Sequence, residues 1–348
     1  RCDLGILVAA VKAPNVRINM VHRMQEWLTV DDKVLPLSTQ AFADGTAPEE
    51  GYKNLADFSY DGLPRWSYDV WGVRVERIMV MEQEKNTVAV LYSIENQSGK
   101  PCKLNIRPFL KFVPRENIVE EAKTFTYRRG TVSADGYTLY IRTGAKLEKI
   151  KPVWQWLAYP EDAKDGRPDK GMAGAVCHAV QTVAPGETVA FEISFSLDSK
   201  KVSGQRLVKA HLARAKKLMT ASGLKDSMAR QLVLAADAYI ARRDSTNGKT
   251  ILAGYPLFSD WGRDTMISLP GCCLSTGRYE DAKSILRTFL AYERNGLVPN
   301  LFPEGEAKPM YNTVDAALLL IDAVWQYHRR TGDDAFVREA WPVMQSII

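Results

Sequence analysis

A chain of 348 residues, 46% hydrophobic and 25% charged, has the composition of an ordinary globular protein and is long enough for two domains. Its formal charge of +5 is small for this length, and no apolar run approaches the roughly eighteen residues of a membrane helix, which argues against a membrane span and against nucleic acid as a partner. Five cysteines, at positions 2, 102, 177, 272 and 273, form no CxxC pair and are odd in number, so neither a disulfide framework nor a zinc site is indicated, and a reducing, cytoplasmic setting is expected.

The opening RCDLGILVAA has neither an initiator Met nor the layout of a secretory signal, and the closing MQSII stops inside an amphipathic pattern. Both ends are therefore expected to be cuts through a longer protein. Up to about residue 200, apolar and polar residues alternate in short runs, the period of strands. Segments 73–80, 87–94, 104–110, 138–141 and 189–195 show it, separated by turn signals at Asn96-Gln97-Ser98-Gly99, Asp135-Gly136 and Ala184-Pro185-Gly186. Many closely spaced strands without helices between them predict an antiparallel β-sandwich.

After Gln205 the period changes to 3.6. Helices are predicted over 205–219, 226–243, 264–275, 279–293, 313–330 and 334–348, with Gly277, Gly296 and Gly332 as expected C-caps. Cys272 and Cys273 read as small core residues of one of these helices. The basic stretch KAHLARAKK (209–217) has helical spacing and reads as a solvated face. The expected organisation is a sandwich over 1–200, a helical linker over 201–245 and the first part of a helical barrel over 246–348. The fold class is thus multidomain, β followed by α.

Two segments carry unusual composition. In YPLFSDWGRD (255–264), Trp261 offers a flat apolar face for a sugar ring, while Arg263 and Asp264 are suited to vicinal hydroxyls. The bland alternative makes Asp260 or Asp264 a helix N-cap. In VPNLFPEGEAKPMYNTVDAA (298–317), a long loop bearing Glu304, Tyr311 and Asn312 runs into a helix whose first turn holds Asp315. Here the bland alternative is a cap at Asn312 or Thr313 with Asp315 on the helix dipole. Glycoside hydrolysis requires two carboxyl groups, and Asp264 and Asp315 occupy equivalent helix starts from which they would share a pocket. Spacing alone does not assign their roles. The four histidines are isolated, so no metal is expected, and no nucleotide-binding or serine-elbow motif occurs.

The blocks WGRDT, TGRYEDA, GLVPN and YNTVDA, in this order, closely resemble the catalytic part of the glycogen debranching enzyme family (amylo-α-1,6-glucosidases), and the first 200 residues resemble its N-terminal sandwich. Cys2-Asp3-Leu4 stands where that family has an aromatic residue and a His before its opening strand. The resemblance implies an (α/α)₆ barrel, incomplete here, and inverting hydrolysis of α-1,6-glucosidic branch linkages in glycogen or limit dextrin. It further implies Asp315 as general acid, Arg263 and Asp264 as sugar-binding residues, no cofactor, and a general base outside this chain. A general acid at position 315 is expected to be desolvated, with a raised pKa. Another sandwich-plus-barrel α-glucosidase, a phosphorylase and a non-catalytic glucan-binding protein remain the alternatives.

Overall fold

The computed structural model describes residues 1–255, 257–303 and 308–348. It divides into two compact units, one of Arg1–Ala9 with Ile18–His211, the other of Ala10–Arg17 with Leu212–Ile348.

The first unit is built on two antiparallel sheets. One places Leu7–Lys12, Val16–Val30, Cys102–Pro114, Lys170–Val183 and Lys146–Ala158 side by side, with Lys33–Pro36 also paired to Val16–Val30. The other runs Thr126–Arg128, Thr131–Ala134, Tyr137–Thr143, Thr188–Ser196, Thr87–Asn96, Val73–Met81, Pro64–Val70 and Leu55–Tyr60. Alternation explains the pairing: Val90 faces Ile193 on one side and Met79 on the other, and Val75 faces Ile94. Val75, Val90, Ile94 and Ile193 are all buried, so a one-residue slip would turn this set to solvent. Gly99, Gly136 and Gly186 sit at positive φ in the three expected turns. A short helix, α1 (Pro160–Lys164), interrupts this β region, and α2 (Gly204–Ala221) follows it. On α2, Lys209, Lys216 and Lys217 are exposed, as a solvated face requires.

The second unit contains α3 (Ser227–Tyr239), α4 (Gly262–Leu269), α5 (Tyr279–Ala291), α6 (Asp315–Thr331) and α7 (Asp334–Ile347). Its core is a continuous cluster that includes Met266, Leu269, Ile285, Leu286, Phe289, Leu320, Val324 and Phe336. Cys273 is fully buried in it, while Cys272 is only partly covered. The helical pattern predicted over 226–243 ends early: α3 stops at Tyr239, and Ile240–Arg243 pairs with Gly248–Ile251 as a β-hairpin. The β-branched Ile240, Thr250 and Ile251 favour strand, and the turn holds Asn247 in the left-handed region at φ 48°. Gly332 caps α6 at φ 67° as expected. Gly296 does not cap α5, whose last turn ends at Tyr292; it belongs to the turn closed between Arg294 and Leu297. Among the described residues, no helix is long and apolar enough to cross a membrane.

Candidate functional site

The start of α4 is held by the loop that precedes α6. Trp261 bridges to Leu301, Leu301 bridges to Met310, and the Gly262 amide donates to the Asn300 carbonyl at 2.9 Å. A Cβ at Gly262 would stand 2.2 Å from the Pro299 carbonyl oxygen, so only glycine lets the two segments lie this close. Neither helix has a side-chain N-cap of its own: Trp261 precedes α4 and Val314 precedes α6, and the capping roles considered for Asp260, Asp264, Asn312 and Thr313 are not what the structure shows. Instead the buried Asn300 reaches across, and its Oδ1 accepts the Arg263 amide at 3.4 Å.

Beneath this turn lies a buried polar knot. Asp260 is fully buried and accepts from the Arg243 guanidinium, from Thr250 Oγ1 at 3.0 Å and from Asn15 Nδ2 at 3.3 Å. Burial pushes its carboxyl up, and Arg243, Thr250 and Asn15 oppose that push. Asn15 also donates to the carbonyls of Phe302 (2.7 Å) and Pro303 (3.0 Å), and the Arg243 guanidinium lies 3.7 Å from the centre of the Phe302 ring. Asp260 thus ties the hairpin, residues 10–17 and the 298–303 loop to the turn that presents Trp261 and Arg263.

The outward side of the turn joins the two sequence blocks. Arg263 Nε lies 2.7 Å from Asp315 Oδ2, and Arg263 Nη2 donates to Asp315 Oδ1 at 3.2 Å, a two-pronged pair between the first turns of α4 and α6. Asp315 does not meet the expectation of a raised pKa. The Arg263 guanidinium, the largest influence, and the Ala316 amide at the helix start hold its carboxyl below the usual carboxylate range. The reason is exposure: roughly half of each side chain faces solvent, so desolvation is too weak to oppose the ion pair.

The other expected site residues divide. Trp261 is half-buried and meets Phe258 edge to face at 6.3 Å. Asp264 is exposed on the first turn of α4, and Asn312 is exposed just before α6. Tyr311 has its hydroxyl engaged by the Tyr292 carbonyl at 2.7 Å, with Arg294 against its ring. Glu304 lies outside the described residues. Sequence reasoning missed Asn15 and Arg243 and gave Asp260 at most a cap. Asn15 lies 245 residues from its partner, so no local pattern marks it.

In the first unit, Cys2, Asp3 and Asp162 bring thiol and carboxylate atoms within 4.8 Å of one another. Asp3 is paired to Arg115 at 3.1 Å and Arg167 at 3.0 Å, and Asp162 to Arg1 at 3.2 Å. Arginines supply the positive charge that a metal would bring, so the chemistry of the set fits an ion-pair network. All five cysteines are free thiols.

Comparison with known proteins places the chain in a family and a fold. Residues 1–190 match the family described as "Glycogen debranching enzyme N terminal", and residues 234–348 match "Amylo-alpha-1,6-glucosidase". The glycogen debranching enzyme of Saccharomyces cerevisiae is 42% identical over 86 residues, which is 23% of this chain and 6% of the yeast enzyme's length. Among solved structures, a bacterial glucoamylase complexed with acarbose aligns over 96% of this chain and 54% of its own, with a TM-score of 0.53 and 10% identity. A likeness at that identity is one of fold: a β-sheet-rich part followed by helices. A putative kojibiose phosphorylase from the human microbiome aligns over 95% of this chain and 49% of its own, with a TM-score of 0.49 and 11% identity.

Proposed function

The chain belongs to the glycogen debranching enzyme family, and on that premise we propose that it forms part of a glycoside hydrolase that cleaves α-1,6-glucosidic branch linkages of glycogen or a limit dextrin with inversion. The observation that carries the reading is the Arg263–Asp315 pair, which sets a planar donor and a carboxylate side by side at two helix starts. In the proposed complex, sugar hydroxyls take over the guanidinium donors of Arg263. Released from its partner, Asp315 gains its proton more readily and delivers it to the glycosidic oxygen as general acid. Trp261 stacks on the bound ring, Asp264 accepts from its hydroxyls, and Asn312 lies beside the acid. Tyr311 serves the site by fixing its loop to Tyr292. We assign no general base among the described residues. Proton transfer and water activation are side-chain chemistry in such a reaction, so the proposal includes no cofactor.

The test is hydrolysis of a branched limit dextrin by the full-length protein, with the anomer of the released glucose followed by NMR. Release of β-glucose first is the expected result. First release of the α-anomer would remove inversion, and release only in the presence of phosphate would replace hydrolysis by phosphorolysis.

A further inference from the structure

Away from the Arg263–Asp315 turn, the second unit carries a groove of about 870 Å³ between the hairpin turn, α5 and α7. Asn247, Glu280, Lys283, Arg287, Tyr292 and Glu339 are among its lining residues. Its size lies in the about 300–1,000 Å³ range of small-molecule sites. We propose that this groove is a second saccharide site, which holds an unbranched α-glucan segment while the branch point is cleaved elsewhere. The choice of glucan rests on the reading above; the choice of a neutral polyol rests on the groove itself.

Charge decides against an ion. The two cations and two carboxylates balance, and both cations are already engaged. Lys283 Nζ lies 2.7 Å from Asp333, and Arg287 is bound by both Glu339 oxygens at 2.6 and 2.7 Å. An anion would have to displace one of these carboxylates, and a metal would face the cations. A hydroxyl both donates and accepts, and a wall on which guanidinium donors alternate with carboxylate acceptors suits vicinal hydroxyls. The Asn247 amide adds both functions at the turn, and Tyr292 adds an aromatic ring at one end of the groove. The wall is preformed. The Lys249 amide donates to Ser284 Oγ at 3.0 Å, Thr246 and Thr288 hydroxyls meet at 3.0 Å, and a Cβ at Gly248 would stand 2.9 Å from Ser284 Oγ. A site fixed before binding loses less ordering entropy on occupation. Because the Tyr292 carbonyl also holds Tyr311, one end of the groove adjoins the loop that leads to Asp315. Two attachment points on one glucan raise the effective concentration of the branch at the site.

The experiment titrates the full-length protein with maltoheptaose and follows hydrogen–deuterium exchange. Protection is expected at 244–248 and along 279–291. Asn247→Gly keeps the left-handed backbone and removes the amide, and Glu339→Gln keeps the shape and removes the charge. Each is expected to weaken that protection at least about tenfold in maltoheptaose concentration, with melting temperature and isomaltose turnover unchanged. Protection that is absent, indifferent to both substitutions, or produced by inorganic phosphate instead of sugar overturns the proposal. Absence of limit-dextrin hydrolysis by the full-length parent, with groove protection intact, would instead defeat the hydrolase reading and leave the groove standing.

Discussion

Two arginine–aspartate pairs meet the turn before α4, with the same chemistry and opposite surroundings. In Arg243–Asp260 the side chains are 6% and 0% exposed; in Arg263–Asp315 they are 47% and 49% exposed. The first is enclosed by Thr250, Asn15 and Phe302, and opening it would leave charge unpaired in the core. The second is bathed in water that replaces either partner at little cost. A buried pair is therefore an anchor, and an exposed one is free to exchange partners. Residues 260–263 carry one of each, so the group assigned to sugar binding stands three residues from the group that fixes it.

The largest effect expected from this contrast is on stability. Asp260→Ala leaves Arg243 charged and the buried Thr250 hydroxyl short of an acceptor. It should cost about 3–5 kcal/mol, the range for breaking one side of a buried ion pair. Urea unfolding followed by tryptophan fluorescence measures it. A loss below about 1 kcal/mol would place Asp260 in a far wetter setting than the structure gives it.

On the exposed side the expected effect moves from stability to rate. Asp315→Asn keeps the size of the side chain and its place at the start of α6 but has no proton to give. Turnover on limit dextrin should fall at least about a hundredfold, the lower end for general acid–base catalysis. Substrate affinity and the unfolding midpoint should hardly move. Normal turnover would remove Asp315 as the acid and leave it as a helix-terminal partner of Arg263.

The two pairs also mark where the sequence is legible. Strand alternation through Val75, Val90 and Ile94 and the 3.6 period of α5 to α7 are local signals, and they locate the β region and the helices. The hairpin at 240–251 was hidden because 226–243 also satisfies a helical period and short strands give little pattern. Arg263 and Asp315 belong to compact motifs, so both are found within their blocks. The anchor Asp260–Arg243–Asn15 is assembled from three distant segments, and only the fold brings them together. The pKa of Asp315 departs from the sequence expectation for a related reason: a first-turn Asp gives no hint of which cation lies 52 residues away.

A smaller effect separates binding from proton transfer on the same surface. Asp264 is exposed and contacts the sugar in the proposed complex, an interaction that persists from ground state to transition state. Asp264→Ala should raise KM by about tenfold or less and leave kcat nearly unchanged. A change in kcat alone would mean that Asp264 acts on the reacting bond.

The finest test concerns how Arg263 controls Asp315. In the free protein the guanidinium favours the ionised carboxylate, which lowers its pKa. A general acid works only when protonated, so activity falls as pH rises through its pKa. The pH profile of kcat/KM reports the free enzyme, and that of kcat reports the complex. Arg263→Ala removes the largest influence that favours the charged form, so the alkaline limb of kcat/KM should move to higher pH. In the complex Arg263 has already turned to sugar hydroxyls, so the limb of kcat should stay nearly where it was. For stability the sign is the reverse of a raised group. A depressed carboxylate pKa contributes above its unfolded value, and that contribution is lost as pH falls through the folded value. With both partners half in water, its removal should leave the neutral-pH unfolding midpoint in place. A kcat/KM limb that stays fixed would break the link between the pair and the acid. A kcat limb that moves equally would show that Arg263 never leaves Asp315, and the exposed pair would then be as static as the buried one.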